Sequence, residues 1–445
     1  MGAAPRNPFG PGLSAMEAVI LGFVAMFILL LLQVPIGFGM GIVGTIGFAY
    51  MVGLSPAMRS IGNTFTDMAM VYDFSVLPLF ILMGNFVARS GISHDLYEAS
   101  NRWLGHRRGG LAMATIVACG GFSAVCGSSF ATAATMAKVA MPPMRRFGYA
   151  DSLAAGSIAA GGTLGILIPP SIVLVFYGIM TETDIGQLFA AGIIPGLLGV
   201  FLYTVAVAAI TKINPELGPP AEPAPWAERF RALRGVWGML VLFVIVMGGI
   251  YVGLFTPTEA AGIGATGAFV IALARRTLTW RSTLEVLAES GRTTAMLMTL
   301  LLGSMLFANF INVSRLPNVL ADWFETVDIA PILVVLICVG IYILLGCILE
   351  SVSMMLLTVP VFYPVMQSLG FDLVWFGIVV VVVIEISLIT PPIGLNVFVL
   401  NAMLPDIKLT EIFRGVIPFV VADIVRVALI IFIPALSLFL PSFME

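Results

Sequence analysis

Four short stretches in an otherwise apolar chain carry the residue types that could hold an ion or an anion. The first, "CGGFSAVCGSSFATAAT" (Cys119–Thr135), surrounds a glycine-rich turn with Cys126, Ser128, Ser129, Thr132 and Thr135 and supplies a Ser/Thr start for the helix that follows. The second, "LLGCILESVSMML" (Leu344–Leu356), offers Gly346 for a turn and Glu350, Ser351 and Ser353 for polarity. Amides and hydroxyls at such helix starts can meet an anionic group. The other two, "GGTLGILIPPS" (Gly161–Ser171) and "EISLITPPIGLN" (Glu385–Asn396), set adjacent prolines inside apolar runs. Proline removes a backbone donor and clashes with the preceding turn, so each pair breaks a helix and releases carbonyl oxygens. Hard oxygens suit Na⁺, and the sequence has no His or Cys cluster suited to zinc or copper. Protons are the alternative coupling ion, with Glu350 or Glu385 as carrier, because an intramembrane carboxylate is a functional candidate by default.

The elements that position these groups must lie in a membrane. Hydrophobic residues make up 60% of the chain and charged residues 10%, about half the charge of a soluble protein. Charge-free runs such as Ala18–Leu32 and Leu429–Leu440 recur along the chain, as spanning helices require. Their lack of alternating polarity favours helices over an outer-membrane barrel. The first run continues through "QVPIGFGMG" without a small-residue cleavage site, so it reads as a retained helix after a disordered extension, residues 1–15. A net charge of −3 gives no reason to expect nucleic acid. Cys119 and Cys126, and likewise Cys338 and Cys347, are too far apart along a helix for a disulfide and read as small apolar side chains.

A fixed interval relates the broken stretches. Pro391 lies 222 residues after Pro169, and the same interval links Pro35 to Pro257, Pro142 to Pro364, Gly148 to Gly370, Pro170 to Pro392 and Asp184 to Asp406. The chain therefore reads as a duplication, with a first repeat at 16–211, a polar cytoplasmic linker at 212–235 and a second repeat at 236–442. The first repeat predicts spans at 16–33, 36–54, 74–90 and 186–211 and a broken helix at 151–181. The segment 109–147 remains, flanked by the basic clusters Arg102–Arg108 and Arg145–Arg146. If it enters and returns as a hairpin, both clusters stay cytoplasmic, as the positive-inside rule prefers. Five spans then invert the second repeat, with spans at 237–255, 259–274, 292–313 and 411–440, a hairpin at 330–367 and a broken helix at 372–404.

The expected fold is thus an all-α polytopic membrane protein of two inverted-topology repeats, with about 10 transmembrane helices and two re-entrant hairpins, the package of a secondary transporter. Amphipathic segments before each hairpin, Ser93–Arg108 and Arg315–Val327, carry Trp103 and Trp323 and read as interfacial anchors. Asp423 and Arg426, three residues apart, read as a pair. Lys138 reads as a snorkelling cation or an attractor of anionic substrate. Asn396, beside the second break, is a candidate substrate contact.

With "GSSFATAAT", "MRRFGY", "AAGGTLGILIPPSI", "LFAAGIIPGLL" and "LITPPIGLNVFV" in order, nearly the whole chain after residue 16 resembles the large membrane subunit of the TRAP family, the tripartite ATP-independent periplasmic transporters. The resemblance implies a Na⁺-coupled importer of organic anions such as C4-dicarboxylates or sugar acids in the bacterial inner membrane. It also implies an elevator of the ion-transporter-superfamily type. The implied partners are a small four-helix membrane subunit, expected as a separate chain, and a periplasmic substrate-binding protein. The implied cofactor is Na⁺ alone, with one ion at each hairpin tip. Carried onto this sequence, the first site would use Cys126, Ser128 and Ser129 with Gly165, Ile168 and Pro169. The second would use Gly346, Glu350 and Ser351 with Ser387, Thr390 and Pro391. Cys126 stands where the family pattern suggests serine, and Ser387 where it suggests glycine. Candidate substrate contacts are Ser128, Thr132, Thr135, Ser353 and Asn396.

Two other classes of function fit the sequence less well. An intramembrane hydrolase would need a base for Ser128 or Ser129, but His94 and His106 lie outside the apolar spans and there is no G-x-S-x-G elbow. A passive channel is compatible with a repeat, yet paired hairpins serve alternating access better than a continuous pore. No catalytic residue is expected.

Overall fold

The computed structural model describes residues 14–444 except Asp328 and the side chain of Glu325; residues 1–13 of the expected extension lie outside the described residues. Ser14, counted in that extension, instead caps the first helix in a reciprocal box with Glu17. Among the described residues there is no strand. The first half contributes α1 (Ala15–Leu31), α2 (Ile36–Val52), α3 (Leu54–Met70), α4 (Val76–Arg89), α5 (Ile92–Leu104), α6 (Gly110–Cys126), α7 (Ser129–Arg146), α8 (Asp151–Thr163), α9 (Ile172–Thr181) and α10 (Ile185–Ile213). The second contributes α11 (Trp226–Tyr251), α12 (Pro257–Ala274), α13 (Trp280–Ser314), α14 (Leu316–Thr326), α15 (Pro331–Gly346), α16 (Ser351–Ser368), α17 (Leu373–Ser387), α18 (Leu395–Met403), α19 (Leu409–Phe432) and the short α20 (Ala435–Leu438).

Helix boundaries recur at the interval of the prolines. The helix α7 opens at Ser129 and α16 at Ser351, 222 residues on; α8 opens at Asp151 and α17 at Asp372's successor, Leu373, again 222 on. Each proline pair falls in the gap after the second of these helices, and both Pro–Pro bonds are cis. One departure is α3, a helix that the apolar pattern does not show. It carries Arg59, Asn63 and Asp67 and is not a span by itself; with the segment that follows, Tyr72–Arg89, it forms an apolar pair bent by 62°. Its counterpart is the first part of α13, which runs unbroken for 35 residues.

Six helices, α10, α11, α12, α13, α16 and α19, are individually long and apolar enough to cross a membrane. The remaining expected spans are the 17-residue helices α1 and α2, each about 25 Å long at 1.5 Å per residue, and the bent or broken pairs. Two packing groups emerge. The helices α1 to α4 pack with α11 to α13, and α6 to α10 pack with α15 to α19.

Each group is closed by glycine-mediated crossings between the two halves. In "IGFGMGIVG", Gly37, Gly41 and Gly44 share one face of α2, and a methyl on Gly44 would come within 2.5 Å of the Phe307 amide on α13. Gly303 of α13 meets Gly37 with equal intimacy. In the other group, Gly156 of α8 lies against Gly415 of α19, where a methyl would overlap backbone. Such close approach maximises van der Waals contact where lipid supplies no hydrophobic drive between helices.

A charged knot joins the halves in the second group. Arg426 of α19 pairs with Asp423 at 2.7 Å, as its spacing suggests, and also with Glu385 of α17. The Tyr203 hydroxyl on α10 donates to Asp423 at 2.6 Å. Glu385, Asp423 and Arg426 are all 0% exposed, so Glu385, the alternative proton carrier, is enclosed and ion-paired.

The linker is strapped across the mouth of the first hairpin. The Gly109 amide donates to Gly218 O at 2.8 Å, Ala150 N to Leu217 O at 3.0 Å and Ala221 N to Gly105 O at 2.9 Å. The expected linker also ends early, because α11 begins at Trp226. Of the two amphipathic segments, α5 is tied to the first group: Arg275 meets Asp95 and Arg102 meets Glu228 at 2.8 Å. Trp103 packs edge-on against Trp226 and Phe230 of α11, whereas Trp323 of α14 is exposed.

Removing the guanidinium would strand two carboxylates in a dry site. Arg426→Ala should therefore destabilise the protein by about 3–5 kcal/mol, read as a lower unfolding midpoint in detergent. An unchanged midpoint would contradict this account of the knot.

Candidate functional site

The two polar tips are built alike. The first hairpin ends at Gly127, whose φ of +64° favours glycine, and Ser128 then caps α7 by accepting from Ala131 N at 3.4 Å. At the equivalent position of the second hairpin Glu350 caps α16, accepting from Val352 N and Ser353 N, both at 3.2 Å. The Ser353 hydroxyl also donates to Glu350 at 3.2 Å. One tip thus presents a neutral cap and the other a carboxylate.

Both tips open onto one cavity of about 790 Å³. From the first come Cys126, Ser128 and Ser129, and from the second Glu350, Ser351 and Ser353. Ser129 and Ser351 occupy equivalent positions and are 3% and 2% exposed. The Ser351 hydroxyl has no hydrogen-bond partner. The opposite wall comes from the first packing group: the start of α2 at Pro35 to Phe38, Asn85 of α4, and Glu289 and Thr293 of α13. Asn85 donates to Ser290 at 2.8 Å, fixing α4 to α13 beside the cavity.

The broken segments support the tips from behind. Leu164 to Ser171 are all buried, and Gly165 lies so close to the first tip that a methyl on it would sit 2.9 Å from Ser128 O and 3.2 Å from Ser129 N. Ile166 reaches the cavity, while Gly165, Ile168 and Pro169 do not line it. Ile168 packs instead against Gly196 and the Pro169 ring against Gly192. At the second break, Gly346 abuts the Ser387 side chain. The Ser387 hydroxyl donates to Ile384 O at 2.6 Å and that of Thr390 to Ile386 O at 2.7 Å, which leaves oxygen lone pairs on both. Pro391 and Pro392 are exposed, unlike the first pair.

Three expected substrate contacts lie elsewhere. Thr132 is fully buried one turn below the tip, and Thr135 is half-buried another turn on. Neither lines the cavity. Asn396 is 0% exposed and donates to Ala159 O of α8 at 3.3 Å, so it joins the halves rather than facing the cavity. Lys138 is exposed, as a snorkelling cation would be. The four cysteines are free thiols, and among the described residues no cluster of His, Cys, Asp or Glu could hold a metal ion. Asn85, Glu289 and Thr293 are cavity residues that the apolar pattern does not single out, because Asn85 and Thr293 sit on expected spans and Glu289 on the polar stretch before the span expected at 292–313. Their one signal is polarity in or beside an apolar run.

Residues 23–436 match the family model described as "Tripartite ATP-independent periplasmic transporter, DctM component". The chain is 37% identical to the C4-dicarboxylate TRAP transporter large permease protein DctM of Pseudomonas aeruginosa, over 87% of this chain and 90% of that one. It is 32% identical to the ectoine/5-hydroxyectoine TRAP transporter large permease protein UehC of Ruegeria pomeroyi, over 94% of this chain and 97% of that one. Among solved structures it shares the fold of the Alcanivorax borkumensis YdaH transporter, with a TM-score of 0.63 at 16% identity over 85% of this chain and 88% of that one.

The packing behind the second tip makes a compensation test possible. Gly346→Ala should push a methyl into Ser387 and destabilise by about 1–3 kcal/mol; adding Ser387→Gly should restore most of the loss. Strictly additive losses in a double-mutant cycle of unfolding midpoints would show that the two positions do not touch.

Proposed function

The chain belongs to the DctM component family of tripartite ATP-independent periplasmic transporters, and we propose that it imports an organic acid into the cell by coupling uptake to inward Na⁺ flow. As a large permease of that family it is a multi-pass membrane protein and not an enzyme. The observation that carries the proposal is the meeting of two equivalent tips, Ser128–Ser129 and Glu350–Ser351, from different halves across one cavity. Each supplies buried hydroxyls and helix-start backbone, the hard oxygen ligands that Na⁺ accepts. Cys126, Ser129 and Gly165 belong to the proposed first ion site, and Gly346, Glu350, Ser351, Ser387 and Thr390 to the second. The cargo carboxylate would meet the start of α7, where first-turn amides have no helical acceptor.

The two packing groups give this reading its mechanics. The group α6–α10 with α15–α19 carries both tips and both breaks, while α1–α4 with α11–α13 forms the wall opposite. We take the first as the moving body of an elevator and the second as its scaffold, the halves being inverted across the bacterial inner membrane. Helix α5, ion-paired to the wall and leading directly into α6, would be one of the arms along which movement is transmitted. A small membrane subunit would dock on the scaffold, and a periplasmic binding protein would deliver the cargo.

Reconstitution in liposomes with the two partner proteins tests the coupling. Uptake should require an inward Na⁺ gradient, and Ser129→Ala and Ser351→Ala should each raise the half-saturating Na⁺ concentration about tenfold, the scale of one lost ligand. Full uptake driven by an inward proton gradient without Na⁺ would instead make Glu350, the carboxylate on the cavity wall, the carrier.

A further inference from the structure

The charge of the cavity has the same sign as that of the organic anion it is proposed to admit. Among the described residues that line it, Glu289 and Glu350 are the only ones with a charged side chain, and none is Lys, Arg or His. The two acids differ in circumstance. Glu350 caps α16 and is partly exposed to the cavity; under the reading above it would also serve Na⁺. Glu289 is exposed and has no ion-pair partner among the described residues. The nearby bases are already engaged one turn away: Arg89 and Arg281 hold Glu285 at 3.5 and 3.3 Å. Arg292, on the same helix, does not line the cavity.

The two tips also divide the work of recognition. A carboxylate already occupies the start of α16, because Glu350 accepts its first free amides. The start of α7 carries only the neutral Ser128 cap, through one long hydrogen bond, so it remains the place for an incoming anion. Ser351, 2% exposed and with a hydroxyl lacking any partner, marks the wall between as built for a ligand. A doubly anionic cargo would place one carboxylate at α7 and the other in the field of Glu289, where like charge disfavours it.

We infer that the cargo is zwitterionic, with a carboxylate that meets the start of α7 and a cationic nitrogen centre, ammonium, quaternary ammonium or amidinium, that meets Glu289. This rests on the transporter reading and narrows it from organic acids in general to those with a compensating positive charge. Glu289 is then a specificity-determining residue contributed by the scaffold wall.

The test uses the full-length permease purified in detergent, with thermal unfolding followed at constant ionic strength. Na⁺ alone should raise the midpoint relative to potassium chloride, which checks the underlying ion site independently of cargo. With Na⁺ present, at least one of the probes ectoine, glycine betaine and L-proline should stabilise further, and succinate should not. Glu289→Gln, an isosteric change at an exposed position, should weaken the apparent affinity for that zwitterion at least tenfold and leave the Na⁺ shift unchanged. Stabilisation by succinate, by none of the three zwitterions, or by a zwitterion whose affinity Glu289→Gln leaves within twofold would overturn the inference. Absence of any Na⁺ shift would count instead against the coupling reading on which it rests.

Discussion

A backbone carbonyl or amide freed from its helix cannot face hydrocarbon, and this constraint organises the molecule. Two pairs of prolines free such groups, and each must be enclosed by protein or by water. Around the first break the enclosure is complete, from Leu164 to Ser171, with Ser171 returning a hydroxyl to Ile166 O. The second break is open at Pro391 and Pro392. By the same principle its outer surface must border water or a partner rather than lipid. The breaks are equivalent in sequence and unequal in environment.

Enclosing a break needs helices that pack closely and stay in place. Glycine supplies the closeness, at Gly37 with Gly303 and at Gly156 with Gly415, and in each case the contact joins one half of the chain to the other. Buried charge supplies the fixity within the group that carries the tips. Arg426 holds acids on its own helix and on α17, and Tyr203 ties α10 to the same knot. The charges stay paired only when all three helices keep their places. The group carrying both tips is therefore internally locked, while its contact with the opposite wall is interrupted by the cavity itself.

Much of this was legible in the sequence, because helix punctuation is chemical. Proline, glycine and aspartate recur at a 222-residue interval, and the helix ends of α6–α9 and α15–α18 fall within a residue or two of the segments expected at 109–147, 151–181, 330–367 and 372–404. Elements whose character depends on three-dimensional context were not. The amphipathic α3 has no apolar run to announce it. The start of α13 reads as a loop until its polar residues are seen to continue a helix. Asn396 looks like a site residue because it follows the break, yet the same break turns it inward to Ala159. The opposite error hides Asn85, a polar residue on an ordinary span, and Glu289, on the stretch before the expected span at 292–313; both become cavity wall only when α4 and α13 are placed against the tips. The Asp423–Arg426 pair was readable from spacing, but Glu385 enters it from a helix 41 residues away in sequence, and no local pattern carries that.

The divergence of one equivalent position states the functional asymmetry most directly. Ser128 and Glu350 perform the same structural task, capping the helix that returns from a hairpin tip. Either residue satisfies the orphan amides, so stability alone does not require that they differ. What changes is the field in the cavity. A serine leaves the partial positive charge of its helix start available, and a glutamate cancels it and adds a negative charge. Two copies of one device, folded together, therefore give a cavity with one neutral helix start, at Ser128, and one capped by a carboxylate, at Glu350. A strict repeat would have produced two identical ends, suited to a symmetric ligand. The difference at a single cap position makes the two ends of the cavity electrostatically unlike, and Glu289 on the facing wall adds a second carboxylate.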